Sequence, residues 1–148
     1  MTSKRQKLKK VLDLREQALD KRAQELVHSK AQLVDALDAH SRESERLLVA
    51  ETHREQLTAG PIDVGSWIEA EQWLAQKKTD LGRANGRVAA AEATVQEAWH
   101  GVVEARIDKK RIELLDARLT TGENQRENRL EQRLSDELAQ RTRKSDGD

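Results

Sequence analysis

The chain has 148 residues, of which 36 % are charged and 2 % are aromatic. This composition offers too few large apolar side chains for a compact globular core, so it favours long helices or a coiled coil, with a disordered chain as the competing interpretation. Lys and Arg number 27, and so do Asp and Glu, so the basic excess typical of phosphate-binding proteins is absent and no nucleic-acid partner is expected.

The first predicted element is a long helix over about residues 4–58, in which nothing breaks a helix. Leucines recur at a spacing of seven, and His40 takes the place of one of them, which is typical of a coiled-coil seam. The second apolar column of this helix is thinner. The leucines of the main column are Leu12, Leu19, Leu26, Leu33 and Leu47.

The next element is a loop over about residues 59–65 that contains Pro61, the only proline in the sequence. Gly60 and Gly65 flank this proline, which cannot continue a helix. Ser66 is followed by Glu69 at the spacing of a capping box, so Ser66 is the expected N-cap of a second helix. A short loop between two long helices predicts an antiparallel hairpin with the loop at its tip.

The second helix is predicted over about residues 66–143. Its two apolar columns keep their phase across Asn85–Gly86, so we expect no turn there. If the loop is centred near residue 62, paired residue numbers sum to about 124, and Leu12 lies opposite Ile112. The first column contains Trp67, Leu74, Leu81, Val88, Val95 and Val102, and the second contains Ala70, Ala84, Ala91, Ala98, Ala105, Ile112 and Leu119.

Beyond about residue 122 the second helix outruns the first. Leu130, Leu134 and Leu138 repeat every fourth residue there, which predicts an apolar stripe without a partner in this chain. The arginines around it, including Arg141, are typical of a helix that docks in an apolar groove with an acidic rim. The predicted fold is therefore all-α: a two-helix antiparallel coiled-coil hairpin with an extended C-terminal helix, in a single domain of residues 1–148.

The residues give no sign of a catalytic, cofactor or metal site. The four histidines lack the spacing that places two on one helix face, and no cysteine accompanies them. The carboxylates alternate with Lys and Arg, as on a solvated coiled-coil surface, and no glycine-rich phosphate loop is present. We therefore predict a protein that is not an enzyme and needs no cofactor.

Two tryptophans stand just after the loop. Trp67 lies in the seam column, where it either closes the end of the hairpin or contacts a partner. Trp73 lies beside the seam and Ile68 outside it, so both are either packing residues or part of a partner-binding surface near the tip. Basic residues stand at both chain ends, from Lys4 to Lys10 and from Arg141 to Lys144. A hairpin brings both ends to the same pole, so this pole is predicted to be basic. The charge either serves ordinary solubility or forms a docking site for an acidic partner.

Two segments resemble a known family. The stretch "LKKVLDLRE", Leu8 to Glu16, is similar to the opening of the FliJ/YscO family, the stalk proteins of flagellar and virulence type III export machines, and "DELAQR", Asp136 to Arg141, is similar to its C-terminal end. The total length and the position of the loop fit as well. The resemblance therefore spans nearly the whole chain.

The resemblance implies a function. Members insert into the central hole of a hexameric export ATPase and link it to the export gate, and some members also handle export chaperones. By position, Leu8, Leu12, Arg15, Leu130, Leu134, Leu138 and Arg141 would contact the ATPase. Ile68 and Trp73 would contact the cytoplasmic domain of the export gate.

Localisation follows from the same two sources. The sequence has no apolar run of signal-peptide or transmembrane type, so direct membrane insertion is not expected. With the resemblance, we expect a cytoplasmic protein peripheral to a membrane secretion apparatus. The alternative function is a structural tether or scaffold coiled coil that self-associates through Leu130–Leu138. A nucleic-acid-binding hairpin is a third class, but it would need a basic stripe along its helices.

Overall fold

Two helices and the loop between them make up the described part of the chain. The computed structural model describes residues 3–146, with α1 over Lys4–Thr58 and α2 over Val64–Asp146. Both helices are rich in Ala, Glu, Leu and Arg, which favour the helical backbone. α1 and α2 pack against each other in antiparallel orientation, so the predicted all-α fold is confirmed.

Contacts divide the chain into two compact units. Residues 20–103 form one unit, which includes the loop and is called the tip unit; the residues up to Leu19 together with those from Glu104 onward form the other, called the terminal unit. Each helix contributes to both units. The two units differ in how they hold α1 to α2.

The tip unit contains the apolar seam. Among residues 3–145, every buried residue lies in this unit. Several of them are alanines, whose small side chains allow the two helices to approach closely. Gly101 serves the same purpose, because an ideal Cβ there would lie 3.3 Å from the Arg22 side chain. The buried residues are Leu26, Ser29, Ala50, Ala70, Leu74, Ala84 and Val102.

The observed pairing agrees with the predicted register. In the terminal unit, Arg15 is 4.0 Å from Asp108 and Lys109 is 3.2 Å from Glu16, each within one residue of the expected partner. In the tip unit, Arg54 Nε is 3.0 Å from a carboxylate oxygen of Glu71, again one residue from the expected partner. The register derived from the loop position is therefore confirmed in each unit.

The end of α1 is closed by a side chain. The Thr58 hydroxyl donates a hydrogen bond of 2.7 Å to the carbonyl of Glu55. No glycine among residues 3–146 has a positive φ, so Gly60 does not supply a left-handed cap. Pro61 follows within three residues and prevents the helix from continuing.

The start of α2 differs from the prediction. Val64 is its first residue, and the carboxylate of Asp63 accepts hydrogen bonds from the backbone N–H of Gly65, at 3.3 Å, and from the hydroxyl of Ser66, at 2.8 Å. The N-cap is therefore Asp63, and its assignment to Ser66 is wrong. Ser66 lies inside the first turn, where its hydroxyl supports the cap. From there α2 continues unbroken through Asn85–Gly86, as expected.

The terminal unit has a thinner contact between the helices. Among residues 3–19 and 104–145 none is buried; the best-covered apolar side chains, such as Leu12 and Ile112, are half-buried. From residue 123 to residue 145 every side chain is exposed. The predicted C-terminal extension of the second helix is therefore confirmed.

Candidate interaction surfaces

One exposed apolar feature of the terminal unit is the leucine stripe, defined as Leu130, Leu134 and Leu138. These side chains are 57 %, 60 % and 63 % exposed. Four residues turn an α-helix by slightly more than one turn, so the three lie along one slanted face. Arg126 and Arg133 are exposed on the same stretch of helix. This part of α2 therefore offers an apolar strip beside cationic groups.

The other residues expected at an ATPase contact lie elsewhere in the terminal unit. Leu8 and Leu12 are half-buried, and Arg15 pairs with Asp108. The ion pair between Arg5 and Glu123 marks the point on α2 beside the start of α1. The leucine stripe begins seven residues further on, about 10 Å along the axis. The structure thus separates these N-terminal residues from the stripe.

Ile68 and Trp73, the residues expected at the export-gate contact, both lie on α2 near the loop. Five residues turn an α-helix by about 140°, so the two side chains leave α2 in different directions. Trp73 is 37 % exposed and makes an edge-to-face contact with His53, with ring centroids 5.6 Å apart. Ile68 is 50 % exposed and follows Val64 by one turn, on the same side of the helix.

Trp67 behaves as a seam residue. It is half-buried, and the guanidinium of Arg54 lies 5.3 Å from the centroid of its ring. The same arginine pairs with Glu71. Trp67 therefore closes the seam beside the loop, as one of the two sequence interpretations held.

Trp73 lines a groove between α1 and α2, here called the Trp73 groove. Its volume is about 430 Å³. Val49 and Trp73 supply apolar surface, and three cations stand against one carboxylate around them. Two of the cations are engaged locally, Arg46 with Glu43 at 2.7 Å and Lys77 with Asp80 at 3.5 Å. The lining residues are Arg42, Glu45, Arg46, Val49, Trp73 and Lys77.

Sequence reasoning missed the α1 side of this groove. Val49 lies between the seam residues Leu47 and Ala50, so the heptad pattern marks it only as an apolar residue off the seam. The predicted register, however, places it near Trp73 on the facing helix. An off-seam apolar residue opposite an off-seam tryptophan was the available signal.

Charge is distributed unevenly between the two units. Residues 20–103 carry 10 Lys and Arg against 14 Asp and Glu, a net charge of −4. The rest of the chain carries 17 against 13, a net charge of +4. The overall balance therefore conceals a basic terminal unit. Its two basic clusters are separate, because Arg141 lies about 27 Å along α2 from the residue that contacts Arg5.

Neither helix, over the part of the chain that the structure describes, is long and apolar enough to cross a membrane. Among the side chains of residues 3–145, no group of three His, Asp or Glu is placed to hold a metal ion.

Comparison with known proteins gives one match. The family model described as "Flagellar FliJ protein" matches residues 3–145. Neither the curated proteins nor the solved structures give a significant match. The family match spans nearly the whole chain, both helices and the loop between them. The chain belongs to the FliJ family, whose members are structural components of the flagellar and type III export apparatus.

Proposed function

We propose that this protein is the non-enzymatic central stalk of a flagellar or type III export ATPase. In this function the terminal unit inserts into the hexameric ATPase ring, and the tip unit contacts the cytoplasmic domain of the export gate. The protein acts in the cytoplasm, peripheral to the membrane apparatus. Export chaperones are further candidate partners, as the family resemblance implies.

The observation that carries the proposal is the leucine stripe. The three leucines are largely exposed to water. A partner groove that buried them would remove the free-energy cost of this exposure. Their full burial contributes about 5 kcal/mol before the costs of ordering. The arginines beside the stripe and the net charge of +4 on this unit favour a groove with an acidic rim. Leu8, Leu12, Arg15 and Arg141 belong to the same unit and complete the proposed ATPase contact.

The test compares two triple variants in the full-length chain. The stripe variant removes the three leucines and combines Leu130→Ala, Leu134→Ala and Leu138→Ala. The control variant changes three exposed residues at the same spacing on the opposite face and combines Asn128→Ala, Gln132→Ala and Asp136→Ala. Binding to the purified hexameric export ATPase, and its rate of ATP hydrolysis, are measured for both. The stripe variant should lose both effects and the control should keep them. Equal activity of the two variants would exclude the stripe as the ATPase contact.

For the gate contact we propose the Trp73 groove rather than a joint surface of Ile68 and Trp73. The groove combines an aromatic anchor with three cations, which suits a segment that carries an apolar residue next to acidic ones. Ile68 is then a separate contact nearer the loop. Trp73→Ala and Ile68→Ala, measured one at a time against the purified gate domain, distinguish the two assignments.

The tether remains the second candidate. An exposed leucine stripe can also pair with the stripe of a second copy, as in a coiled coil. In that function the stripe variant would change the oligomeric state of the chain alone. In the stalk function it would change only the binding to the ATPase.

A further inference from the structure

The first observation concerns where the helix pair is weakly held. All the buried residues among 3–145 belong to the tip unit, and residues 4–19 of α1 meet α2 through half-buried aliphatic side chains and ion pairs. The pairs that cross between the helices here have distances of 3.2–4.0 Å, and their side chains are about half exposed, apart from Lys109 at 26 %. Exposed ion pairs of this kind contribute little, and salt screens them.

The sequence explains this weakness. The seam column that starts at Trp67 is apolar at every seventh residue through Val102. It then becomes charged at Lys109, Asp116 and Glu123. The change falls at the boundary between the two units, which lies between Val103 and Glu104. In the terminal unit, half of the seam is therefore built from charges.

The face that residues 4–19 cover is aligned with the leucine stripe. Ile112 and Leu119 of α2 are half-buried in the terminal unit, and they continue the second apolar column. Leu119 and Leu130 are eleven residues apart, which is close to three full turns, so they point to nearly the same side of α2. Removing residues 4–19 would extend the exposed apolar face from Leu138 back to Ile112.

We propose that residues 4–19 form a strap that detaches from α2 while the tip unit stays folded, and that the uncovered face joins the leucine stripe in one longer docking surface. The occupant of that surface is the partner with an apolar groove and an acidic rim, so this second half rests on the proposed function. The first half concerns the chain alone. A detached segment of this length is only marginally helical, so its backbone amides become accessible when it opens.

Hydrogen exchange of the isolated full-length chain tests the first half. Backbone amides of residues 4–19 should exchange at least about tenfold faster than those around Leu26 and Leu74. Raising the salt concentration to about 0.5 M should accelerate exchange of residues 4–19 modestly and more than exchange in the tip unit, because exposed ion pairs make part of their contact with α2 and salt screens such pairs. Equal protection of the two units, or an equal effect of salt on both, would overturn the proposal.

A variant with a restored seam provides the matched comparison. Lys109→Leu with Asp116→Leu makes two of the three charged column positions apolar. It should slow exchange of residues 4–19 and reduce the effect of salt there, where the Arg5–Glu123 and Arg15–Asp108 pairs remain. Lys110→Leu with Glu127→Leu adds the same side chains at exposed positions of α2 and should leave exchange unchanged. If both variants behave alike, the charged seam is not what loosens the strap.

A reversible crosslink tests the second half. The register places Leu12 opposite Ile112, and the chain contains no native cysteine. The variant with Leu12→Cys and Ile112→Cys, oxidised to a disulfide, should bind the purified export ATPase at least about tenfold more weakly than its own reduced form. The control is a crosslink in the tip unit, Leu33→Cys with Ala91→Cys, and its oxidation should not affect binding. Unchanged binding of the oxidised chain would overturn the extended docking surface. Because the leucine-stripe variants test the ATPase contact itself, failure of the proposed function would be visible separately.

Discussion

Most of the buried side chains of the tip unit are small, and Val102 is the largest of the described residues to be fully buried. Val102→Ala removes two methyl groups from a packed site and should lower the free energy of unfolding by about 2 kcal/mol. Val27→Ala is the same change at a residue that is 68 % exposed, and it should alter stability by less than about 0.5 kcal/mol. Urea denaturation followed by circular dichroism measures both. Equal losses would contradict the assignment of Val102 to the seam.

Trp73 and Ile68 make a second comparison of single residues. Trp73 packs its ring edge-to-face with His53, so Trp73→Ala should cost about 1 kcal/mol of stability. Ile68→Ala removes an exposed side chain and should be close to neutral. A double-mutant cycle with His53→Ala isolates the ring contact. A coupling free energy of zero would show that the two rings do not stabilise each other.

At the scale of the elements, the start of α2 depends on one carboxylate. Asp63→Ala removes the acceptor of two hydrogen bonds and should destabilise the protein by about 1 kcal/mol. Ser66→Ala removes only a donor to that carboxylate and should cost less than half as much. Thermal denaturation of the two variants decides between them. A larger loss for Ser66→Ala would restore Ser66 as the N-cap.

The fold could be predicted from the sequence because its signals are repeated. The leucine column of α1 and the two columns of α2 repeat many times, so single irregularities such as His40 or Lys77 do not obscure them. The N-cap could not be located, since Asp63 and Ser66 are both good capping residues within one turn, and only the hydrogen bonds separate them.

The candidate surfaces were less predictable for a geometric reason. Proximity in sequence suggested that Ile68 and Trp73 share a surface, but the helical rotation between them separates the two side chains. The leucine stripe was predictable because its exposure follows from the unequal lengths of the helices. The Trp73 groove needs side chains from both helices, so it depends on the register as well as on the pattern within each helix.

On the scale of the whole molecule, the opposite net charges of the two units matter for association. Residues 20–103 carry a net charge of −4 and the remainder carries +4, so the two proposed contacts, to the export gate and to the ATPase, lie on units of opposite net charge. Complementary charge mainly raises the rate of association and selects partners. Higher ionic strength should therefore weaken binding of the terminal unit to the ATPase mainly by lowering the association rate constant. The dissociation rate constant should change less, and stopped-flow measurements can separate the two.

Truncation after Gly122 tests the stability contributed by the C-terminal part of α2. Residues 123–145 are all exposed, and Glu123 meets α1 through a half-exposed ion pair with Arg5. Such a pair contributes at most about 1 kcal/mol, so the truncated chain should unfold at nearly the same urea concentration as the full one. A large loss of stability would show that this segment packs on the rest of the chain.

The same truncation decides between stalk and tether. Three leucines that are already about 40 % covered leave far less apolar area than the roughly 800 Å² per partner of a stable interface, so the stripe alone should not hold two copies together. We therefore expect the full-length and truncated chains to sediment as monomers at micromolar concentration. The truncated chain should remain folded but no longer bind the export ATPase, because a ring can surround the stripe with a groove whereas a second copy offers only another stripe. A dimeric full-length chain that becomes monomeric on truncation would favour the tether instead.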